Sequence, residues 1–358
     1  MTIQFGIFDH IEGIEGTSHQ QLLQDRLELI KMADAGGFST YHLAEHHGSD
    51  LCMAPNQEIF LAAAAQATTQ IRLGPLIKIL SLHHPLRVIQ DICVLDQLSG
   101  GRVEYGVGRG IAAIEHFWFE GDWFTSTERF EEALGRSLQG LRTGKVDASA
   151  CKHYDFPAIE MCMRPLQAPN PPFWYPGNPV TAGRFGLNLM WPGPIPDEAY
   201  ELYLKNWYDN IDGPIRADLP GATPRVGCTE LLAIHEDEAT AKEIAGRGWK
   251  GLMRRIVHVH TFDALALGEE GAEAALNPLA RGAQAISGPD GDALLPALVA
   301  NSGTPEQVRE RMKSYISEGK SDYIVLQLPT GDMTFEESRR TLELFISEVK
   351  PALEAISA

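Results

Sequence analysis

Histidines and a glutamate form two short clusters that could transfer protons or bind a metal ion. Imidazole changes its protonation near neutral pH and is a common metal ligand, and a carboxylate can serve either chemistry. No third and fourth metal ligand stands at a telling spacing, so proton handling, metal binding and a purely structural role all stay open. His84 could also be a boundary residue of the helix that begins at Pro85. The clusters are Glu45-His46-His47 and His83-His84-Pro85.

Two glycine-containing turns could hold a phosphate group. In Gly108-Arg109-Gly110-Ile111 the glycines allow close backbone approach and the guanidinium offers a fork for phosphate oxygens. The stretch Pro176 to Thr181, with Gly177 and Asn178, is typical of a turn into a helix N-terminus, whose N–H groups and dipole favour anions. Neither turn matches a dinucleotide or P-loop fingerprint. A salt bridge at Arg109 and an ordinary capped helix remain the simpler interpretations.

Apolar, β-branched runs alternate with amphipathic segments along the whole chain. This alternation predicts parallel strands, and it favours one (β/α)8 barrel of the TIM type over residues 1–358. An open, doubly wound sheet stays possible, since alternation alone does not distinguish the two. The predicted strands are 3–8, 38–44, 71–80, 103–107, 173–175, 187–191, 225–235 and 322–328, with helices at 22–35, 59–67, 86–98, 127–141, 181–185, 197–210, 237–249, 305–317 and 335–356.

Two segments interrupt the alternation and are expected to be insertions. Residues 144–170 are expected to carry a hairpin, and the Gly-, Ala- and Pro-rich residues 250–302 are expected to be irregular and to form a mobile lid or a binding insertion. In such barrels the active site lies where strands end, which is where the clusters above fall. The aromatic residues that follow the fourth strand could line an apolar pocket, lie in a dimer interface or simply pack; they include Phe117 and Trp118.

Composition excludes several classes of function. The net charge of −18 disfavours binding to nucleic acid. The five cysteines form no CxxC pair, which argues against a disulfide framework or a structural zinc site and is consistent with a reducing cytosol. No signal peptide and no apolar stretch of about 18 residues is visible, so a cytoplasmic protein is expected.

Three stretches together resemble the bacterial luciferase-like monooxygenase superfamily over nearly the whole chain. Residues 38–47, FSTYHLAEHH, match its second-strand signature. Residues 71–110 contain HP-x-R-x-x-x-D, then LDQLSGGR, then the glycine-rich turn with Arg109. Residues 303–308, GTPEQV, are similar to its late helix start.

The resemblance implies a (β/α)8 barrel that binds FMN or, in some branches, the deazaflavin F420. It implies a cis peptide at Leu76-Ile77 under the flavin ring, and it assigns proton handling to His46, with Glu45 shaping the site. The flavin phosphate would be held by Arg109, the backbone of Ile111, Gly177, Asn178 and Thr181. A substrate pocket is expected at His84, Phe117 and Trp118.

The leading hypothesis is a two-component monooxygenase that uses reduced FMN from a separate flavin reductase, O2 and a small organic substrate. The resemblance also suggests a homodimer through the early helices. Three alternatives stay open: F420-dependent hydride transfer, a non-catalytic flavin-binding barrel, and a metal hydrolase built on His46, His47, His83 and His84.

Overall fold

A parallel sheet closed into a barrel is the centre of the computed structural model, which describes residues 3–213 and 222–357. The strands are β1 (Gln4–Asp9), β2 (Thr40–Leu43), β3 (Arg72–Pro75), β4 (Lys78–Ile79), β5 (Tyr105–Gly108), β6 (Lys145–Val146), β7 (Ile159–Glu160), β8 (Phe173–Pro176), β9 (Asn188–Pro192), β10 (Val226–Leu231) and β11 (Tyr323–Gln327). The large sheet has the order β3-β2-β1-β11-β10-β9-β8-β5-β4, and neighbouring strands in it pair in parallel.

Hydrogen bonds between β3 and the residues that lead into β5 close the barrel. The Leu73 N–H donates to the Arg102 carbonyl at 2.8 Å, and the Glu104 N–H donates to the Leu73 carbonyl at 3.0 Å. β3 and β4 are two halves of the predicted third strand, which is interrupted at the cis peptide bond between Leu76 and Ile77. Counting them as one strand gives eight, so the predicted (β/α)8 barrel is confirmed and the open sheet is not formed.

Helices surround the barrel. They are α1 (His19–Ala35), α2 (Gln57–Ala67), α3 (Pro85–Ser99), α4 (Ala113–Trp118), α5 (Ser126–Thr143), α6 (Pro179–Phe185), α7 (Asp197–Asp209), α8 (Glu238–Thr261), α9 (Asp263–Ala275), α10 (Pro278–Ser287), α11 (Gly291–Leu298), α12 (Pro305–Ser317), α13 (Phe335–Leu344) and α14 (Lys350–Ser357). The start predicted for α12 is confirmed, because Thr304 and Gln307 form a capping box around Pro305. Among the described residues no helix is both long and apolar enough to cross a membrane.

The prediction that residues 250–302 are irregular is wrong. α8 continues to Thr261, and α9, α10 and α11 follow it directly. Residues that usually break helices obscure the helical periodicity of this segment. Gly268 interrupts α9 with non-helical dihedral angles, and Pro296 lies inside α11. Asn277 caps α10, whose first residue is Pro278. The hairpin predicted within 144–170 is confirmed by the antiparallel pair β6 and β7.

Aromatic side chains fill the barrel interior and leave the strand ends free to form a site. Tyr323 and Trp174 lie 5.1 Å apart between ring centroids, and the Trp174 indole N–H donates to Glu104 at 2.6 Å. Gly6 faces Tyr323, whose phenol occupies the space that a β-carbon at Gly6 would need. Burial lowers the pKa of His42 to about 3, so this interior histidine is neutral at physiological pH.

The sequence motif LDQLSGGR is structural. The Arg102 guanidinium fastens the end of α2 to the start of β3, because it donates to the carbonyls of Ala65 and Ile71 at 2.8 and 2.7 Å. Asp96 accepts hydrogen bonds from the backbone and side chain of Gln167. These contacts satisfy backbone carbonyls where helices end, so the motif stabilises the barrel rather than binding a ligand.

Candidate active site

Glu45 organises one side of the mouth at the end of β2. Its Oε1 accepts from the Nε2 of His83 at 2.6 Å and of His47 at 3.1 Å, and its Oε2 accepts from the Ile79 N–H at 2.6 Å. Burial pushes the pKa of this carboxyl up, but the Lys78 ammonium and the two histidines outweigh burial and hold the pKa well below its usual range. Glu45 is therefore a negatively charged carboxylate whose two oxygens already accept hydrogen bonds from the protein.

His46 points to a different partner, which the sequence analysis missed. The His46 Nδ1 lies 3.1 Å from the Oε1 of Glu115 on α4, and the same oxygen accepts from the His47 N–H at 2.9 Å. Glu115 is fully buried, and its Oε2 has no hydrogen-bond partner among the described residues. With Nδ1–H donated to the carboxylate, the His46 Nε2 is left to accept or give a proton.

His10, which follows the end of β1, is the third member of this group and contacts His46. Its ring stacks on that of His46, with 5.9 Å between centroids and an interplanar angle of 17°. Burial, with repulsion from His46, lowers the pKa of His10 to about 3, so the ring is neutral at physiological pH. The Gln327 amide lies 3.3 Å from the His10 Nδ1 and can donate to it. His10 thus gives His46 an uncharged neighbour.

The predicted cis peptide between Leu76 and Ile77 is confirmed. The Gln57 amide holds this corner, because its Nε2 donates to the carbonyls of Leu43 at 2.6 Å and Ile77 at 3.1 Å. A β-carbon at Gly108 would overlap the side chain of Ile77. The glycine-rich turn therefore has a packing role against the cis dipeptide, a reason that the sequence did not reveal.

Arg109 lies half-buried on the opposite side of the mouth. Its guanidinium stacks over Trp123 at 4.0 Å and donates to the Ser126 hydroxyl at 3.3 Å. No carboxylate of residues 3–213 and 222–357 pairs with it, so the salt bridge considered from sequence is not formed there. Burial lowers the pKa of Arg109, while Tyr175 opposes that effect. Tyr175 is also hydrogen-bonded to the Thr181 side chain, which brings Arg109 and Thr181 to the same tyrosine.

The other residues expected at the phosphate are Gly177, Asn178 and Ile111. Gly177 has a φ of 99° and open space around its α-carbon. Asn178 caps α6, and its side-chain oxygen accepts from the Val180 and Thr181 N–H groups at 2.9 and 3.2 Å. Within the described chain no acceptor takes the Ile111 N–H. The structure thus links Arg109 and Thr181 through Tyr175, and a shared phosphate site that also includes Ile111, Gly177 and Asn178 stays a prediction.

His84 is not brought to Glu45; it is His83 that contacts this carboxylate. The exposed His84 is the N-cap of α3, and its ring packs on Tyr154 and Phe156 instead. The boundary role considered for His84 is confirmed, and its role in a substrate pocket stays a prediction.

Phe117 and Trp118 are 56% and 41% exposed, so neither is packed in the core. Their neighbour Phe119 reaches the mouth, with its ring 4.5 Å from that of His47. A cavity of about 750 Å³ lies on this side of the mouth and extends between α2 and α3; its lining includes Glu45, His47, Lys78, His83 and Phe119.

The geometry of the four histidines does not favour the metal-hydrolase alternative. His46 is bound to Glu115, His47 and His83 are bound to Glu45, and His84 caps a helix. Within 3–213 and 222–357, no group of three or more His, Cys, Asp and Glu side chains is arranged to hold a metal ion.

Comparison with known proteins shows the family to which this chain belongs. The family model described as luciferase-like monooxygenase matches residues 3–321. The chain belongs to the luciferase-like monooxygenase family. The match covers the strand ends that carry Glu45, His46 and Arg109, and it ends just before the last barrel strand, β11.

Proteins whose names give different cofactors are similar to it. Over 364 residues the chain is 26% identical to the oxygenase component of the flavin-dependent trigonelline monooxygenase of Acinetobacter baylyi, covering 98% of this chain and 95% of that protein. The oxygenating constituent of 3,6-diketocamphane monooxygenase from Pseudomonas putida, solved with FMN, has a TM-score of 0.72 at 18% identity over 98% of each chain. The coenzyme F420 dependent tetrahydromethanopterin reductase of Methanopyrus kandleri has a TM-score of 0.67 at 20% identity, over 99% of this chain and 100% of that one. At these identities the two structures establish the fold alone.

Proposed function

We propose that the protein is a flavin-dependent monooxygenase that takes reduced FMN from a separate reductase and uses O2 to oxidise a small organic substrate. The observation behind this proposal is the half-buried Arg109, which pairs with no carboxylate of the part of the chain that the structure describes. A desolvated guanidinium next to Tyr175 and Thr181 is ready to accept a phosphate, with which it can form two parallel hydrogen bonds. The oxygenase component from Acinetobacter baylyi, which is similar over almost the whole chain, supports the same activity.

The residues present fit a flavin mononucleotide. Arg109, the Ile111 N–H and Thr181 would hold the phosphate, and the open turn at Gly177 leaves room beside them. The cis dipeptide at 76–77 would lie beneath the ring. Bound reduced flavin supplies the electrons that activate molecular oxygen, whereas the protein supplies position and environment.

Proton control is the task we assign to His46. Glu115 fixes the tautomer of the ring through Nδ1, and the neutral His10 stacks on it, so that Nε2 can hold or release a proton in a defined direction. A buried carboxylate with one unpartnered oxygen is costly to keep. This cost argues against a non-catalytic barrel, which would have no use for it.

Water exclusion is the task we assign to the helical insertion α9–α11, whose segment the sequence analysis expected to act as a lid. A closed site strengthens every electrostatic contact within it and protects reactive species from water. Aromatic residues after β5, including Phe117 and Trp118, would line the entry for an apolar substrate.

We also propose a homodimer through α2 and α3. Ile59, Val94 and Leu98 on these helices are 69%, 44% and 48% exposed, and they border the cavity between the two helices. Apolar side chains grouped in this way favour burial against a second surface.

The test is anaerobic titration of the protein with reduced FMN and, in parallel, with reduced riboflavin, which lacks the phosphate. Arg109→Ala should weaken FMN binding by about ten- to a hundredfold, because a hydrogen bond to a charged group contributes about 1.5–3 kcal/mol. Riboflavin binding should change by less than about twofold.

Arg339→Ala is the matched control, since Arg339 is a surface arginine paired with Glu336. It should bind both flavins as the wild type does. Equal loss of FMN and riboflavin binding in Arg109→Ala would place the arginine elsewhere than at the phosphate. Tight binding of F420 with no binding of FMN would replace the proposal by F420-dependent hydride transfer.

A further inference from the structure

Helix α4, which carries Glu115, cannot cap its own N-terminus. The residue before the helix is Ala112, in an extended conformation, and its methyl group accepts no hydrogen bond. The first N–H groups of a helix need acceptors from outside the helix. Here the Ile114 N–H donates to the Oδ1 of Asp263 at 2.8 Å, across 149 residues of sequence.

Asp263 is a buried residue of the helical insertion. Its second oxygen accepts from the Nδ1 of His260 at 2.7 Å, and both side chains are almost completely buried. A carboxylate held by two such bonds has a fixed orientation. Its negative charge also lies at the positive end of α4, where it stabilises the helix.

Arg255, in the last part of α8, which leads into the insertion, fastens this part of the chain to the barrel mouth. The buried guanidinium lies 3.2 Å from the carboxylate of Asp50 and 2.9 Å from that of Asp332, and it donates to the Gly13 carbonyl at 2.5 Å. These three partners belong to the loops after β2, β11 and β1. The end of α8, and with it Asp263, is thereby held in register with the strand ends.

We propose that Asp263 is a positioning residue: by capping α4 from the insertion it holds Glu115 against His46. The inference rests on the proposed function for its consequence, because His46 is the group to which proton control is assigned. The residue after Ile114 is Glu115, so loss of the cap frees the first turn of α4 and with it the carboxylate. Docking of the insertion thus sets the geometry of a site to which it contributes no reacting group.

Nuclear magnetic resonance of flavin-free protein with isotope-labelled histidine tests this directly. The ring nitrogens of His46, assigned by His46→Gln, report which nitrogen carries the proton. Asp263→Ala should shift these signals toward those of Glu115→Gln, and exchange of the Ile114 amide should accelerate about tenfold or more. Asp263→Asn keeps an oxygen acceptor and should retain the wild-type signals. Asp292→Ala removes an exposed carboxylate of the same insertion and is the matched control.

Kinetics provide a second measurement. Asp263→Ala should raise the rate at which bound reduced FMN is oxidised by O2 by up to about fivefold, in the same direction as Glu115→Gln, and alter its pH profile as that variant does. Its affinity for FMN should change by less than about twofold. Among the described residues, the titratable groups that contact the His46 ring are Glu115 on α4 and His10 after β1, and the Cys52 thiol, in the loop after β2, interacts with the His46 backbone. None of them is altered in Asp263→Ala.

A compensating variant keeps the proposal falsifiable if Asp263→Ala does not fold. Ala112→Ser gives α4 a cap of its own, and combined with Asp263→Ala it should restore folding and the His46 signals. Failure of this rescue, unchanged His46 signals in Asp263→Ala, or identical effects of Asp263→Asn and Asp263→Ala would each overturn the inference. If the signals shift as expected but reduced FMN does not bind, the proposed function fails and the positioning role stands.

Discussion

Neutralising Glu115 perturbs proton control with little change in shape. In Glu115→Gln a side-chain oxygen remains to accept the bonds that now measure 3.1 Å to the His46 Nδ1 and 2.9 Å to the His47 N–H. A charged hydrogen bond is about twice as strong as a neutral one, so the hold on His46 should weaken by about 1 kcal/mol. This energy corresponds to about a fivefold effect on a rate that depends on the orientation of His46.

The assay is stopped-flow mixing of the reduced FMN complex with O2, followed by the absorbance of oxidised flavin. We expect Glu115→Gln to form oxidised flavin about five times faster than the wild type, because an imidazole that is free to turn can exchange protons with water. FMN affinity should change by less than about twofold. Glu120→Gln, in the loop after α4, is a matched control. A wild-type oxidation rate in Glu115→Gln at every pH would refute the assignment of proton control to this pair.

Three further predictions follow from burial and packing. Burial raises the pKa of Glu12 to about 7 in the folded protein, above its unfolded value. The contribution of this group to stability is therefore fully present below about pH 4 and is lost as the pH rises through 7. Glu12→Gln should raise the free energy of unfolding at pH 8 by about 3 kcal/mol, measured by urea unfolding at about pH 4 and pH 8. Gly108→Ala should cost about 1–3 kcal/mol through overlap with the cis dipeptide, whereas Gly135→Ala, where a β-carbon meets no atom within 4 Å, should not destabilise. Ile59→Lys combined with Leu98→Lys should convert a dimer to a monomer in analytical ultracentrifugation, and an unchanged sedimentation coefficient would contradict the proposed interface.

The barrel could be predicted because its signals are local. The last barrel strand starts with the apolar run 323–326, and Gly100 and Gly144 end α3 and α5 in left-handed conformations that glycine adopts without strain. The prediction for residues 250–302 is wrong because it also depends on local composition. Gly268 and Pro296 are typical of loops, but here they lie inside helices. Local patterns predict helices and strands, but they do not show when a helix tolerates a glycine or proline within it.

Pairing across the mouth could not be predicted. Glu115 lies 69 residues from His46, and its contact depends on how α4 crosses the end of β2. The only sequence signal was an acidic residue inside an aromatic stretch that follows Arg109. Which of His83 and His84 contacts Glu45 could not be predicted either, because neighbouring residues in sequence cannot be told apart until the backbone fixes which one faces inward.

Oxidation of bound reduced FMN by O2 tests the central claim most directly. The wild-type protein should bind reduced FMN and impose a lag before oxidised flavin appears, and His46→Ala should bind the flavin equally well but lose the lag. If FMN is oxidised at the rate of free flavin, with no binding to the wild-type protein, the chain does not act as an FMN monooxygenase.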